Sequence, residues 1–485
     1  MIEFLHTRRL FVIILVLGLS ILGARPVTDP DVWWHLRTGQ LIIQNHQLFH
    51  ADPYSFTRPG EPWVDHEWLS QIIIYYVYRV AGWGGLIAGF AALITAAYWI
   101  LFLRSPGRPF VAGVMTVWGA LASVPCWGVR PQMFTLVLAS VLLLLLDRSY
   151  QRPNVLWWTP VLVLIWVNLH AGYALGIALL AIFLVGDAVE LAFGHENAAH
   201  SGARLRTLAL VLATSLVAVP LNPYGMAMYR YPLQTLHSRA MLAYIGEWAS
   251  PDFHQPRYLI VLCMMLTTML LPVLSPRRLR ARELLLLAVT MYAALRSVRH
   301  IPIYVLAATP LLSALVQARL QASGKMGLLA APALPLSRIK AVVNGVLLAG
   351  LIIFVTVRFR YVVGRQAEAE SKEFPQAAVS FLATTRPPGP LMNHYNWGGY
   401  IIWKLYPDYK VYIDGRADLY GDSFLDEFGA AYQVKGKSWR APLEQYGVRT
   451  VVLPPDAPLV IVLQTTSAWR AIFSDRQTVV LTKTR

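Results

Sequence analysis

Several stretches of this 485-residue chain hold residue types whose spacing suits chemistry. Near the start it reads Asp29-Pro30-Asp31-Val32-Trp33-Trp34-His35, followed further on by Trp63-Val64-Asp65-His66-Glu67-Trp68. Carboxylates two residues apart can take a proton from an acceptor hydroxyl as general base. The same pair can hold a divalent metal ion beside a phosphate. Trp33 and Trp34 offer flat apolar surface to a sugar ring, with His35 and Glu67 as polar contacts. The plainer alternative is an interfacial aromatic belt with solvated acids; the dense mixture of acid, Trp, His and Gly favours chemistry.

A basic group, Arg296, Arg299 and His300, sits in a short turn between apolar runs. Arg299, with Arg130, can clamp a phosphate through parallel hydrogen bonds and stabilise charge on a leaving group. Snorkelling to headgroups is the alternative. Asn168, His170, Asn222 and Tyr224 each fall at the end of an apolar run, where a helix cap competes with substrate contact, and Glu247 is a further acid in the next loop. Toward the end, Asn393-His394-Tyr395-Asn396-Trp397-Gly398-Gly399-Tyr400 precedes Asp414-Gly415-Arg416-Ala417-Asp418-Leu419-Tyr420-Gly421. Asn393, Trp397, Asp414, Arg416 and Asp418 can bind an acceptor sugar. For Arg416 a buried ion-pair network is the favoured reading. No GxGxxG, P-loop, HExxH or GxSxG pattern is present, so nucleotide-sugar or ATP use has no support.

The elements that must position these residues are membrane helices. The chain is 56% hydrophobic and 14% charged, against roughly 25% charged in soluble domains. A span needs about 20 apolar residues, and runs approaching this cover 10–23, 83–103, 110–127, 133–146, 156–169, 171–191, 208–221, 258–274, 283–295, 301–316 and 341–357. The first reads as a retained signal-anchor. The Tyr/Ile-rich run 68–80 either spans the bilayer or lies on its surface. Left out of the count, it puts Arg8/Arg9, Arg104/Arg108, Arg148/Arg152, Arg204/Arg206, the 277–282 arginines and Arg319/Lys325/Arg338/Lys340 in the cytoplasm, as the positive-inside rule requires. The net charge of +16 therefore faces anionic lipid rather than nucleic acid. Cys126 and Cys263 lie in or beside apolar runs and form no disulfide framework.

On that topology the outer side receives the first loop (25–82), the Arg130, Asn168–His170 and Arg296–His300 turns, the 222–256 loop and everything after the helical body (83–358). From 373 to 485 turn signals and strand-like runs at 410–413, 450–453 and 478–481 read as a small extracytoplasmic α/β domain. The Gly398-Gly399 pair reads as a turn, and the Ala/Leu/Pro/Gly-rich stretch 317–336 as a flexible loop.

An Asp-x-Asp first outer loop, a many-helix body of about eleven spans and an outer C-terminal domain resemble the GT-C superfamily of polyprenyl-phosphate-sugar glycosyltransferases, which includes protein O-mannosyltransferases and aminoarabinose transferases. More specifically, the chain resembles a broad group of bacterial membrane proteins with DxDxWWH near the start and NxYNWGGY and DGRADLYG near the end. The resemblance implies transfer of a sugar from a polyprenyl-phosphate donor to a glycan, lipid or protein acceptor outside the cytoplasm of a bacterial inner membrane. Asp31 or Asp29 would then be the catalytic carboxylate, in an inverting displacement. The sequence departs from the mannosyltransferase pattern, in which Asp-Glu is usual, because Val32 follows Asp31. A divalent metal ion is the one cofactor left room for, with Asp29 and Asp31 as its ligands. Two other function classes compete. A non-catalytic binder of lipid-linked glycans would keep the Trp and Arg residues without needing the acids. A transporter would need polar residues running down the helices, and the cytoplasmic halves of the runs are largely apolar.

Overall fold

The computed structural model describes residues 7–193, 198–324 and 338–484. Lys325 and most of the loop expected over 317–336 lie outside these. The start of that stretch is helical, because Ile301–Ala322 is one continuous helix; residues 317–322 are good helix formers, and Gly324 is the first breaker. The chain divides into two compact units. One comprises Met1–Arg25, Ile87–Gly225 and Gly246–Gly364; the other comprises Pro26–Leu86, Met226–Ile245 and Arg365–Arg485.

The first unit is helical. Among the described residues of the whole chain, seven helices are long and apolar enough to cross a bilayer, joined by shorter apolar helices at Arg9–Gly23 and Pro153–Leu169. Their outward side chains are apolar: Val217, Leu270, Val273 and Ile339 are 71%, 64%, 82% and 77% exposed. A surface of that kind is matched by acyl chains and not by water. With lipid outside, cohesion inside depends on close approach at small residues. A Cβ on Gly119 would come within 2.6 Å of Thr309 and 2.7 Å of Val305, so the Pro109–Ser123 and Ile301–Ala322 helices meet there nearly backbone to side chain. One group of buried charges in this unit is paired. Asp187 accepts from Tyr150 Oη (2.7 Å) and Arg282 Nη1 (3.2 Å) and is ion-paired with Arg204. The two guanidiniums lie 3.5 and 3.8 Å from the Tyr150 ring centre. Asp187, Arg204 and Arg282 are all buried.

Run 68–80 is helical and leads into run 83–103 as a single element, Trp68–Arg104, interrupted at Gly82 (φ 57°, ψ −153°). A left-handed φ with extended ψ breaks the i→i−4 ladder, and glycine alone adopts it without steric cost.

The second unit is built on a four-stranded sheet. Its strands are β1 (Leu391–Asn393), β2 (Thr450–Leu453), β3 (Trp469–Ser474) and β4 (Val479–Lys483), in the order β1-β2-β4-β3. β1 runs parallel to β2, and β4 is antiparallel to both its neighbours. β2 is apolar and buried along its length, as a central strand covered on both faces must be. The Gln376–Thr385 and Pro458–Gln464 helices pack against β3.

Two sequence expectations are corrected here. Residues 410–413 do not form a strand; Val411 makes isolated bridges to Ser55 and Leu391. The neighbouring backbone is taken by side chains instead: Tyr412 N–H donates to Asn393 Oδ1, and Thr57 Oγ1 donates to Tyr412 C=O. Gly398-Gly399 opens the helix Gly398–Leu405 rather than a turn. A Cβ on Gly399 would lie 2.6 Å from Pro30 C=O and 3.3 Å from Trp34, so the missing side chain lets this helix lie against Val32–Asn45.

Candidate functional site

In the second unit, Asp31 stands at the N-cap of the helix Val32–Asn45, where the partial positive charge of the helix start lies beside it. Its N–H donates to Asp29 Oδ1 at 2.8 Å, and its Oδ1 accepts from Trp34 Nε1 at 3.1 Å. Gly415 backs the carboxylate: a Cβ there would come within 2.9 Å of Asp31 Cγ and 3.4 Å of Trp34 Nε1. The two sequence motifs therefore meet at Asp31.

One turn along the same helix face, His35 Nε2 lies 3.5 Å from Glu67 Oε2, while His66 Nε2 is 3.4 Å from Glu67 Oε1. Tyr231 stacks on His66 (ring centres 4.1 Å), with its hydroxyl 3.3 Å from Nε2. Asp65 accepts from Gln71 Nε2. Burial dominates the electrostatics. It lowers His35 to about 4, against partial opposition from Glu67, and lifts Asp65 to about 7. Burial also opposes charge on His66, but Glu67, Asp418 and Asp65 outweigh it and raise this imidazole. Asp418 is raised by burial, with His66 acting against the shift. Asp65 is thus the acid of this cluster that gives up its proton close to neutral pH.

A pocket of about 280 Å³ opens next to this cluster. Trp63, Tyr231, Thr235, Ser238, Asp418 and Asp422 are among the residues around it. Ser238 Oγ and Arg239 N–H both donate to Asp422, which fastens the 226–245 segment to the helix Ala417–Tyr432.

Other residues expected at the site are buried and take part in packing, and for Arg416 this is the ion-pair network favoured from the sequence. Arg416 (1% exposed) is held bidentately by Asp414 through Nε (2.8 Å) and Nη2 (2.7 Å) and pairs with Asp52 at 2.8 Å. Tyr420 Oη donates to Asp414 at 2.8 Å, and the guanidinium lies over Tyr54 and Trp63. Burial alone would lower Arg416; Asp414 and Asp52 more than reverse it. Asn393 binds Ile413 C=O and Tyr412 N–H. Trp33 is edge-on to Trp83, Phe374 and Tyr400. Trp397 is buried and donates to Glu373 C=O.

In the first unit, Arg130 and Arg299 share one carboxylate. Arg130 is ion-paired with Glu247, and Arg299 Nη1 lies 3.4 Å from its other oxygen. Arg299 also lies over the Trp248 ring (4.4 Å), which meets His300 edge-on (6.1 Å). Backbone bonds from Val298 and Arg299 to Ala249 and Glu247 lock the two loops together. These guanidiniums are about one-fifth to one-quarter exposed, so they remain reachable. Arg296 is exposed and directs Nη1 to Tyr292 Oη, which takes it out of the expected clamp. Asn168, His170 and Asn222 close turns: Asn168 donates to Leu164 C=O, His170 Nδ1 accepts from Gly172 N–H, and Asn222 accepts from Tyr224 N–H and donates to Val167 C=O.

For a metal ion, Glu67 and His66, whose Nε2 lies 3.4 Å from Oε1, form a mixed N/O pair, which suits a transition ion such as zinc better than magnesium. Asp29 and Asp31 each already direct one oxygen at an N–H donor. Sequence reasoning passed over Asp52, Tyr231, Ser238 and Asp422. Asp65 and His66, beside Glu67, were detectable from adjacency alone; the others reach the site only through tertiary packing.

No protein-family model matches the chain, and no curated protein matches it. Solved structures do. The oligosaccharyltransferase of Archaeoglobus fulgidus tethered to an acceptor peptide containing the NVT sequon aligns over 100% of this chain and 75% of its own, at TM-score 0.54 and 12% identity. The archaeal oligosaccharyltransferase AglB from the same organism, in complex with an inhibitory peptide and a dolichol-phosphate, aligns over 91% and 68%, at TM-score 0.52 and 10% identity. ArnT from Cupriavidus metallidurans bound to undecaprenyl phosphate aligns over 97% of both chains, at TM-score 0.47 and 15% identity. At such identities the likeness is one of fold. The shared fold is that of the archaeal oligosaccharyltransferase.

Proposed function

We propose that this chain is a membrane glycosyltransferase of the GT-C type, moving a sugar from a polyprenyl-phosphate donor to an acceptor hydroxyl outside the cytoplasm of a bacterial inner membrane. The observation that carries the reading is Asp31. It is an acid at a helix start, fixed by Asp29 and Trp34, and backed by a glycine of the second motif. Asp31 accepts the acceptor's hydroxyl proton, the oxygen attacks the anomeric carbon, and the bond to phosphate breaks, releasing lipid phosphate with inversion. Arg299 and Arg130, reachable and tethered to Glu247, offer the donor phosphate paired charge. A divalent ion, when bound, would be held by Glu67 with His66 and would supply positive charge toward a phosphate.

The test is release of lipid phosphate from radiolabelled polyprenyl-phosphate sugars by detergent-purified protein. Wild type releases it, and Asp31→Asn reduces release by about 10²-fold or more, the scale of general-base removal, with donor binding retained. Full release by a double Asp29→Asn/Asp31→Asn variant would refute the mechanism. Binding without turnover in every form would favour a lipid-linked-glycan binding protein instead.

A further inference from the structure

The pocket beside Asp418 has a lining whose charge pattern goes beyond a generic acceptor site. Asp422 accepts hydrogen bonds from Ser238 Oγ and Arg239 N–H, which hold its carboxylate in the ionised form and depress its pKa. Asp418, four residues earlier, also lines the pocket and feels Glu67 and His66 behind it. Among the described residues around the pocket none is Lys or Arg; His237 is the one lining group able to carry positive charge, and its Nδ1 is bonded to Leu233 C=O at 2.7 Å. Gln234, Thr235 and Ser238 supply amide and hydroxyl groups at the same wall. About 280 Å³ lies at the small end of ligand pockets, enough for a compact polar ring and not for a lipid chain or folded peptide.

Carboxylates spaced around a small polar cavity accept hydrogen bonds from neighbouring hydroxyls. The ionised Asp422 carboxylate repels a phosphate or carboxylate brought into the pocket, whose wall carries no Lys or Arg side chain to receive it. We infer that this pocket binds an uncharged, hydroxyl-rich sugar and excludes anionic ones, and that this sugar is the acceptor end in the transfer proposed above. The inference rests on that reading for the word acceptor only; the pocket's preference is a property of equilibrium binding.

The experiment therefore needs neither donor nor turnover. Full-length protein in detergent is titrated with the methyl glycosides of glucose, galactose, mannose and N-acetylglucosamine, and with methyl glucuronide, by saturation-transfer NMR. At least one neutral glycoside should bind, and the uronide should bind about tenfold or more weakly than methyl glucoside, a difference of about 1.4 kcal/mol. Thr235→Trp, which fills the cavity from a half-buried position, should remove neutral-sugar binding while the protein still unfolds at its wild-type temperature. Asp422→Asn should bring the uronide to within about threefold of methyl glucoside, because the carboxylate held ionised at the wall is gone. Failure of all four neutral sugars, equal or tighter uronide binding in wild type, or neutral binding that survives Thr235→Trp would each overturn the inference. Sugar binding without lipid-phosphate release would count against the transferase reading and leave the pocket assignment intact. Release without sugar binding would do the reverse.

Discussion

Gly415→Ala separates the role of the second motif from its contribution to folding. Gly415 is not at positive φ, so alanine meets no backbone penalty. Its Cβ, however, would sit within 2.9 Å of Asp31 Cγ and inside the contact radius of Asp31 Oδ1. The obstructing atoms belong to the end of a side chain, which can rotate away. The expected stability loss is therefore modest, about 1 kcal/mol for an ordinary overpacked contact. The catalytic consequence is larger. The carboxylate must retreat by about 1 Å and loses the Trp34 Nε1 bond, and a displacement of that size costs about 10²-fold in rate. Lipid-phosphate release is measured alongside thermal unfolding in detergent. The expected result is kcat down about 10²-fold, KM for the lipid donor within about twofold, and a melting temperature within a few degrees of wild type. Gly89→Ala, where a Cβ meets nothing within 4 Å, is the matched control. If Gly415→Ala turns over at the wild-type rate, Asp31 is not the base, whatever Asp31→Asn does.

Three further outcomes are expected. Asp65, lifted to about 7, keeps a proton in the fold that the unfolded chain has lost, so it makes stability fall as pH rises from about 4 to 7; His35, lowered to about 4, makes stability rise from about 4 to 6.5. The two slopes oppose each other, each up to about 1.4 kcal/mol per pH unit; Asp65→Asn should make stability rise more steeply with pH from about 4 to 6.5 than in wild type, and a pH profile of melting temperature unchanged from wild type would contradict the assignment. Arg416→Met strands Asp414 and Asp52 in the core and should cost about 3–5 kcal/mol by denaturant unfolding, with part recovered when both acids become Asn; an undiminished midpoint would show that the network is dispensable. Arg299→Ala should raise KM for the lipid donor about tenfold and lower kcat as well, whereas Glu247→Gln, by releasing both guanidiniums, should lower KM; unchanged KM and kcat in both would remove the phosphate-clamp role.

The membrane body was legible because apolar runs of span length have few other uses, and the exposed apolar residues of the helices agree with that reading. β2 and β4 were legible from β-branched runs next to turn residues. The 410–413 run had the same appearance and failed, because Asn393 and Thr57 occupy backbone groups that a ladder would need. At the site, composition pointed to the right stretches but could not sort them. Within DGRADLYG, Asp414, Arg416 and Tyr420 turn inward to one another, while Asp418 and Gly421 line the pocket. That alternation arises from a helix start and a left-handed break at Gly421 (φ 72°), neither of which a motif letter encodes. Asp52, Tyr231 and Asp422 were invisible for a different reason: each matters through a partner far away in the chain, and no local spacing records such a pairing.

The Asp187–Arg204–Arg282 cluster also constrains how the protein is made. Ribosomes deliver these helices one after another: the carboxylate first, one guanidinium next, and the other only after one more hydrophobic helix, Pro256–Leu274. Each waits near a helix end, where an unpaired charge costs less than the about 2.5–3.5 kcal/mol of the bilayer centre. The acid thus waits for its first base, and the second base arrives to find the acid already in place. An Asp187→Asn chain would leave two guanidiniums facing each other across Tyr150 with no counter-ion. Its fate would be decided by membrane quality control rather than by catalysis: a shortened half-life in pulse-chase, with normal turnover per surviving molecule.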